Sequence, residues 1–83
     1  MYDVIVEKSA IKVLEKIPKP AYSKIKAALI ALAYDPRPIG YLKLKGREGY
    51  RIRVGDYRII YEISDNKLIV HVVTIGHRKD VYE

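Results

Sequence analysis

Basic side chains whose spacing fits one face of a β-sheet dominate the middle of this sequence. Arg51 and Arg53 alternate with apolar residues, and Arg58 follows shortly after a Gly55-Asp56 pair. Side chains alternate across a strand, so the first two arginines share a face. A Gly-Asp pair between two such segments is typical of a hairpin turn, which returns Arg58 beside them. Because guanidinium groups hold phosphates through paired hydrogen bonds, the spacing predicts a surface for an extended polyanion.

A second group of polar residues follows the last apolar segment. His77, Arg78 and Tyr82 fall within residues 75–82, which read Ile-Gly-His-Arg-Lys-Asp-Val-Tyr. His and Tyr rings stack on unpaired bases, and no predicted helix has a basic recognition face, so single-stranded RNA fits better than duplex DNA. The alternative is a solvated sheet face with an ordinary charged tail. Three further basic residues precede the hairpin and are candidates for RNA contacts: Lys43, Lys45 and Arg47.

Other chemistries lack the residues that they need. The chain has no Cys, so it can form neither a disulfide nor a thiolate metal site. It contains no phosphate-binding Gly loop, no HExxH and no His-carboxylate cluster with metal spacing. Its serines have no nucleophile-elbow context. We therefore expect no metal and no cofactor.

Length and charge favour one small basic domain. The 83 residues carry a net charge of +6, which favours a polyanionic partner such as nucleic acid, or else serves only solubility. The length fits a single domain over residues 1–83. No apolar run reaches the length of a membrane span, and the N-terminus lacks the layout of a signal peptide. We expect a cytoplasmic protein with no membrane partner.

The periodicity of apolar residues predicts the elements that position these side chains. An α+β fold with β-α-α-β-β-β order results: a small, twisted, largely antiparallel sheet, a two-helix hairpin packed on one face, and a basic open face. The last strand is apolar on both faces and is predicted to be central and covered on both sides. Its His71 is predicted to be structural. The predicted elements are a strand at Tyr2–Glu7, a helix capped by Ser9, a helix at Pro20–Tyr34, an alternating piece at Leu42–Lys45, and strands at Tyr50–Val54, Tyr57–Ser64 and Lys67–Ile75. The predicted core of the sheet is Ile52, Val54, Ile59, Tyr61 and Ile63.

Four segments in this order resemble the RelE/ParE superfamily of bacterial and archaeal toxins over essentially the whole chain. They are Leu44–Gly46, Tyr50–Arg53, Gly55–Tyr61 and Ile75–Tyr82. The resemblance implies one of two activities. RelE-like members are ribosome-dependent endoribonucleases that cut mRNA in the A site, whereas ParE-like members poison DNA gyrase. Both kinds are held inactive by a cognate antitoxin, so the resemblance implies that partner as well, together with ribosome and mRNA or with gyrase. A catalytically inactive member is a further alternative.

The resemblance to RelE-type nucleases extends to five positions, which favours that branch. The family pattern of two basic residues on one strand, an Arg on the next, an Arg after the C-terminal Gly and a terminal Tyr is matched by Arg51, Arg53, Arg58, Arg78 and Tyr82. The resemblance implies metal-free cleavage by the neighbouring 2′-hydroxyl. Arg58 and Arg78 would stabilise the phosphorane, Arg51 and Arg53 would anchor the backbone, and Tyr82 would stack on a base.

One departure from the family pattern concerns proton transfer. Family members place Lys on the first of these strands, but this chain has Arg51 and Arg53, and arginine does not lose its proton in proteins. The general base is therefore His77 or Tyr82. His77 titrates near neutrality, and the neighbouring Arg78 should favour its neutral form. A turn residue bonded to the backbone is the alternative role for His77.

Overall fold

The computed structural model describes residues 1–77 and Lys79, which form two helices and one five-stranded sheet. The elements are β1 (Asp3–Val6), α1 (Lys8–Glu15), α2 (Lys19–Tyr34), β2 (Leu42–Lys43), β3 (Tyr50–Val54), β4 (Tyr57–Ser64) and β5 (Ile69–His77). The strand order is β1-β5-β4-β3-β2, with β1 parallel to β5 and all other pairs antiparallel. The predicted α+β fold and order of elements are confirmed. No helix among the described residues is long and apolar enough to span a membrane.

Both helices pack their apolar sides on one face of the sheet. Ile25, Leu29 and Leu32 of α2 recur at helical spacing and are buried in a single cluster with Ala10 of α1. The predicted sheet core is confirmed: Ile52, Ile59 and Tyr61 are buried in this cluster, while Val54 and Ile63 are partly buried against it. No helix among the described residues covers the other face of the sheet.

β5 is an interior strand, as predicted, but its bounds and the cover of its second face differ from the prediction. β5 lies between β1 and β4, one place from the edge of the sheet, while β4 is central. It covers Ile69–His77 rather than Lys67–Ile75, because the preceding turn extends to Leu68, whose φ is 54°. Ile69 and His71 are half-buried, so β5 is not fully covered on its second face.

The start of α1 differs from the prediction that Ser9 caps it. The helix begins at Lys8, and its boundary residue Glu7 makes no side-chain cap. The Glu7 N–H donates to Val72 O, and the Glu7 carboxylate contacts His71 instead. The pairing of β1 with β5 therefore determines where the chain turns into α1, and this long-range contact is not visible in local sequence.

A β-bulge in β5 shifts its side-chain alternation. Ile60 pairs with Thr74 and Tyr61 with Val72, so Val73 has no opposite residue on β4. Paired residues share a face, and each further residue switches face. Without the bulge, the residues after Val72 would alternate in the other phase. The bulge thus moves both Ile75 and His77 to the face covered by the helices.

Candidate nucleic-acid interface

The predicted arginines come together on the face of the sheet without helices, at one end of β3 and β4. Arg53 pairs directly with Arg58, and Arg51 pairs with Ile60 on the same face. Directly opposite residues have Cβ atoms about 4.5–5.5 Å apart, so the side chains of Arg53 and Arg58 leave the sheet side by side. Gly76 of β5 is opposite Arg58 on its other side and has no side chain to crowd it. We call Arg51, Arg53 and Arg58 the arginine end.

Burial differs among these three arginines. Arg51 is buried, with only 8% of the residue exposed. The Nε atoms of Arg51 and Arg58 are both shielded from water. Arg58 is half-buried, and Arg53 is exposed. Cations held in a partly dry environment attract an anion more strongly than solvated ones do. The arginine end therefore combines two positioned guanidinium groups with one accessible group.

The loop between β2 and β3 folds over the arginine face. Leu44 and Ile60 are both buried and form a small apolar cluster on that face. Gly49, with φ of +124°, brings the loop back to the sheet, and the Leu44 N–H donates to Gly49 O at 3.0 Å. The predicted RNA-contacting residues Lys45 and Arg47 are exposed in this loop. These contacts anchor the loop over Ile60 and Glu62, next to Arg51 and at the end of the strands away from the Arg53–Arg58 pair.

Two predicted site residues lie on the other side of the sheet. Lys43 pairs with Tyr50, whose side chain packs against the helix-side core. His77 pairs with Tyr57, and the two rings meet edge to face with centroids 5.5 Å apart. His77 Nδ1 accepts a hydrogen bond of 3.2 Å from the Lys79 N–H. The described geometry therefore gives His77 the features of a turn residue bonded to the backbone and separates its ring from the arginine end.

The predicted roles of Arg78 and Tyr82 concern residues outside the described part of the chain. The last residue of β5, His77, follows Gly76, which is opposite Arg58, and it directly precedes Arg78 in the sequence.

The other end of the open face carries carboxylates. Alternation along β4 predicts that Glu62 shares a face with Arg58 and pairs with it; Glu62 does share that face, but within the described residues it forms no ion pair. Glu62 pairs with His71, and His71 pairs with Ile5, so the three residues cross the sheet in one row. His71 Nε2 lies 2.8 Å from a Glu7 carboxylate oxygen, which agrees with its predicted structural role. A groove of about 610 Å³ opens here. Among its lining residues are Ile5, Glu48, Gly49, Glu62, Lys67, Ile69 and His71. We call it the acidic groove. The alternation of side chains along β1 and β4 is the sequence pattern that places Ile5 and Glu62 on the open face.

On the helix side of the sheet, the segment that follows α2 contacts β3 and β4. The Tyr61 hydroxyl donates to Pro36 O at 2.7 Å within the core, and burial raises the pKa of Tyr61 to about 12. The next residue, Arg37, donates two hydrogen bonds to Asp65 and lies over the Tyr50 ring. The segment after α2 is thereby attached to β3, to β4 and to the turn that follows β4.

The fold and the open face together define a class of small α+β proteins that present arginines on the sheet face opposite their helices. The family model described as the ParE toxin of type II toxin–antitoxin systems matches residues 4–82, and the chain belongs to this family. It is a toxin of the RelE type within that family, since the named relatives are RelE toxins.

Relatives and solved structures agree with this assignment. The mRNA interferase toxin RelE of Escherichia coli K12 is 28% identical over 94% of this chain and 84% of its own length. A protein described as a RelE-like toxin of Escherichia coli is 31% identical over 98% of this chain and 90% of its own length. The archaeal RelE–RelB complex of Pyrococcus horikoshii aligns with a TM-score of 0.84 at 29% identity, covering 96% of this chain and 98% of the other.

Proposed function

We propose that this toxin is a ribosome-dependent endoribonuclease that cuts mRNA in the A site and so stops translation. The observation that carries the proposal is the arginine end, where Arg53 and Arg58 are directly opposite each other and Arg51 is buried beside them. Like charges directly opposite on a sheet reduce stability. An anion held between them converts this repulsion into binding, and the relative named mRNA interferase points to RNA as that anion.

Charge stabilisation is the main contribution expected of the arginines. In the proposed reaction the 2′-oxygen forms a bond to the adjacent phosphorus and the bond to the 5′-oxygen breaks, leaving a 2′,3′-cyclic phosphate and a 5′-hydroxyl. The phosphorane in between carries extra negative charge, which Arg58 and Arg78 stabilise. Arg51 and Arg53 anchor the RNA backbone, and Lys45 and Arg47 add contacts from the loop. Removing one such donor typically slows chemistry by about 100- to 1000-fold.

Two protons move in this reaction, one from the 2′-hydroxyl and one to the 5′-oxygen. His77 and Tyr82 remain the proposed acceptors for the first. The ring of His77 lies on the helix side against Tyr57, so it reaches the scissile phosphate only around the end of β5. This geometry favours Tyr82. Loss of cleavage in Tyr82→Phe with retention in His77→Gln is the expected result, and the reverse pattern would assign the base to His77.

Three partners belong to the proposal. Ribosome and mRNA provide the substrate, which places the toxin in the cytoplasm. The third is a cognate antitoxin, because the similar structures from Pyrococcus horikoshii and Escherichia coli are toxin–antitoxin complexes. The Escherichia coli complex aligns with a TM-score of 0.81 at 26% identity, covering 93% of this chain and 96% of the other.

Mapping of mRNA 5′ ends on programmed ribosomes tests the activity. The wild-type toxin should create new ends inside A-site codons, and Arg58→Ala should reduce their rate of formation by about 100-fold or more. Arg47→Ala is the matched control, since it removes the same charge from the exposed loop and should change the rate only a few-fold. No new ends with the wild-type protein would refute the proposal.

A second candidate is poisoning of DNA gyrase, which the description of the matching family as ParE favours. In that case the purified toxin should inhibit supercoiling by gyrase and leave mRNA on ribosomes uncut. The same two assays also identify an inactive member, which would affect neither.

A further inference from the structure

The open face of the sheet has two ends of opposite charge. Arg58 and Glu62 are four residues apart on β4 and share this face, so their Cα atoms are about 13 Å apart. The groove is lined by two carboxylates, on Glu48 and Glu62, against one ammonium group, on Lys67. Asp3 on β1 and Glu7 just after it add two more beside the lining residues Ile69 and His71. The loop that carries Glu48 also carries the exposed Lys45 and Arg47, which do not line the groove. This local excess of negative charge occurs in a chain whose net charge is +6.

Two of these carboxylates are available to an incoming cation. Glu48 and Glu62 are exposed, and within the part of the chain that the structure describes neither forms an ion pair. Gly49 brings the loop against β4: a Cβ added to it would lie 3.9 Å from Glu62 Cγ. The loop and β4 therefore form adjacent walls that each end in a carboxylate.

The groove also has apolar surface suited to aliphatic side chains. Ile5, on the edge strand β1, is 50% exposed, and Ile69 beside it is half-buried. Both line the groove together with the half-buried His71. An RNA backbone that continued from the arginine end along β4 would meet carboxylates here, which repel phosphates. A polypeptide that presents an aliphatic side chain and a Lys or Arg matches both the apolar floor and the charge.

We propose that the acidic groove is a docking site for a segment of the antitoxin that carries aliphatic and cationic side chains. The inference rests on the proposed antitoxin partner and not on the proposed reaction. It divides the open face by function: RNA occupies the arginine end, and the antitoxin gains affinity from the end that RNA avoids. A segment docked there holds the antitoxin on the open face, so that another part of it can cover the arginine end without depending only on the arginines for affinity.

Two charge reversals with the same change in net charge test this proposal. Glu62→Lys alters the groove, and Glu15→Lys alters an exposed position on α1, on the other side of the sheet. The binding probe is the protein encoded by the reading frame adjacent to the toxin gene, with its affinity measured by calorimetry at two salt concentrations. Glu62→Lys should weaken binding about tenfold or more, with a smaller loss at high salt, whereas Glu15→Lys should change it less than about threefold.

A second readout separates the antitoxin from RNA as occupant. Binding of a single-stranded RNA oligonucleotide should be unchanged or tighter in Glu62→Lys. If Glu62→Lys instead weakens RNA binding and leaves antitoxin binding intact, the groove is an RNA subsite and the proposal is wrong. The proposal is also wrong if the two charge reversals have equal effects on antitoxin binding, or if the protein encoded by the adjacent reading frame does not bind the wild-type toxin. Neither measurement uses RNA cleavage, so failure of the proposed reaction would be seen separately.

Discussion

At the residue scale, the arginine end uses positions that a more stable sheet would fill differently. Arg53 and Arg58 are directly opposite, and a like-charge pair at such a position destabilises a sheet. Arg51 is buried on a face that also holds the apolar pair Leu44 and Ile60. Such a cost is typical of residues that bind a ligand, because a bound anion relieves the repulsion between the two cations.

Replacement of Arg53 by Gln should therefore raise stability while it reduces binding. Without the repulsion from Arg58, the free energy of unfolding should rise by a fraction of a kcal/mol, because like charges directly opposite on a sheet are destabilising. Loss of one phosphate contact should lower single-stranded RNA affinity and reduce the slope of log K against log salt by about 0.7. Denaturant titration and RNA binding at several salt concentrations measure both effects. Arg47→Gln removes the same charge from the loop and should give no stability gain; a gain of equal size there would contradict the argument.

At the element scale, the loop between β2 and β3 depends on the backbone of Gly49. Its φ of +124° is rare for residues with a Cβ, and an added Cβ would lie 3.2 Å from Tyr61 O and 3.3 Å from Leu44 Cδ1. Gly46 in the same loop has φ of +73° and open space around it. The two glycines therefore share a backbone requirement, and only Gly49 adds a steric one.

The pair Gly49→Ala and Gly46→Ala should separate these two effects. Gly46→Ala should cost about 1 kcal/mol for the left-handed backbone alone. Gly49→Ala should cost about 2–3 kcal/mol, because the backbone strain is joined by crowding against β4 and Leu44. Unfolding in denaturant provides the measurement. Equal losses in both variants would show that the close approach of the loop to β4 does not contribute to stability.

At the scale of the whole molecule, one carboxylate connects three distant parts of the chain. Asp65, in the turn after β4, accepts hydrogen bonds from Arg37 and from the Tyr2 hydroxyl. These two donors, Arg37 first, hold the pKa of Asp65 below its ordinary value of 3.8. A carboxylate with a lowered pKa in the folded state adds stability above its unfolded pKa, and this contribution is lost as the pH falls through the folded value.

The melting temperature of Asp65→Asn should therefore lie below that of the wild type at pH 7, with a difference that shrinks as the pH falls from about 5 to about 2. The pair is exposed, so the effect should be small but should have this sign. Glu15→Gln, at an exposed position of α1 far from Asp65 in the sequence, removes the same charge and is the matched control. A difference for Asp65→Asn that grows in acid would contradict the assignment.

Local patterns in the sequence were sufficient for the order of the elements, for the hairpin of β3 and β4, and for the arginine end. The alternation of Arg51 and Arg53 and the Gly55-Asp56 turn predict a hairpin, and β3 and β4 have the predicted bounds Tyr50–Val54 and Tyr57–Ser64. Two-residue turns fix strand register, so the placement of Arg58 beside Arg53 follows from nearby residues alone. The helical spacing of Ile25, Leu29 and Leu32 likewise gives the buried side of α2.

Only the tertiary structure decided which face each residue of β5 occupies and what lies beside it. The bulge at Val73 reverses the alternation, so His77 leaves the arginine face and joins Tyr57 on the helix side. The pairing of β1 with β5 gathers Ile5, Glu7 and His71, which are distant in sequence, at the acidic groove. Both features arise from pairing between strands far apart along the chain. Register between such strands depends on the packing of the whole core, and no short stretch of sequence contains that information.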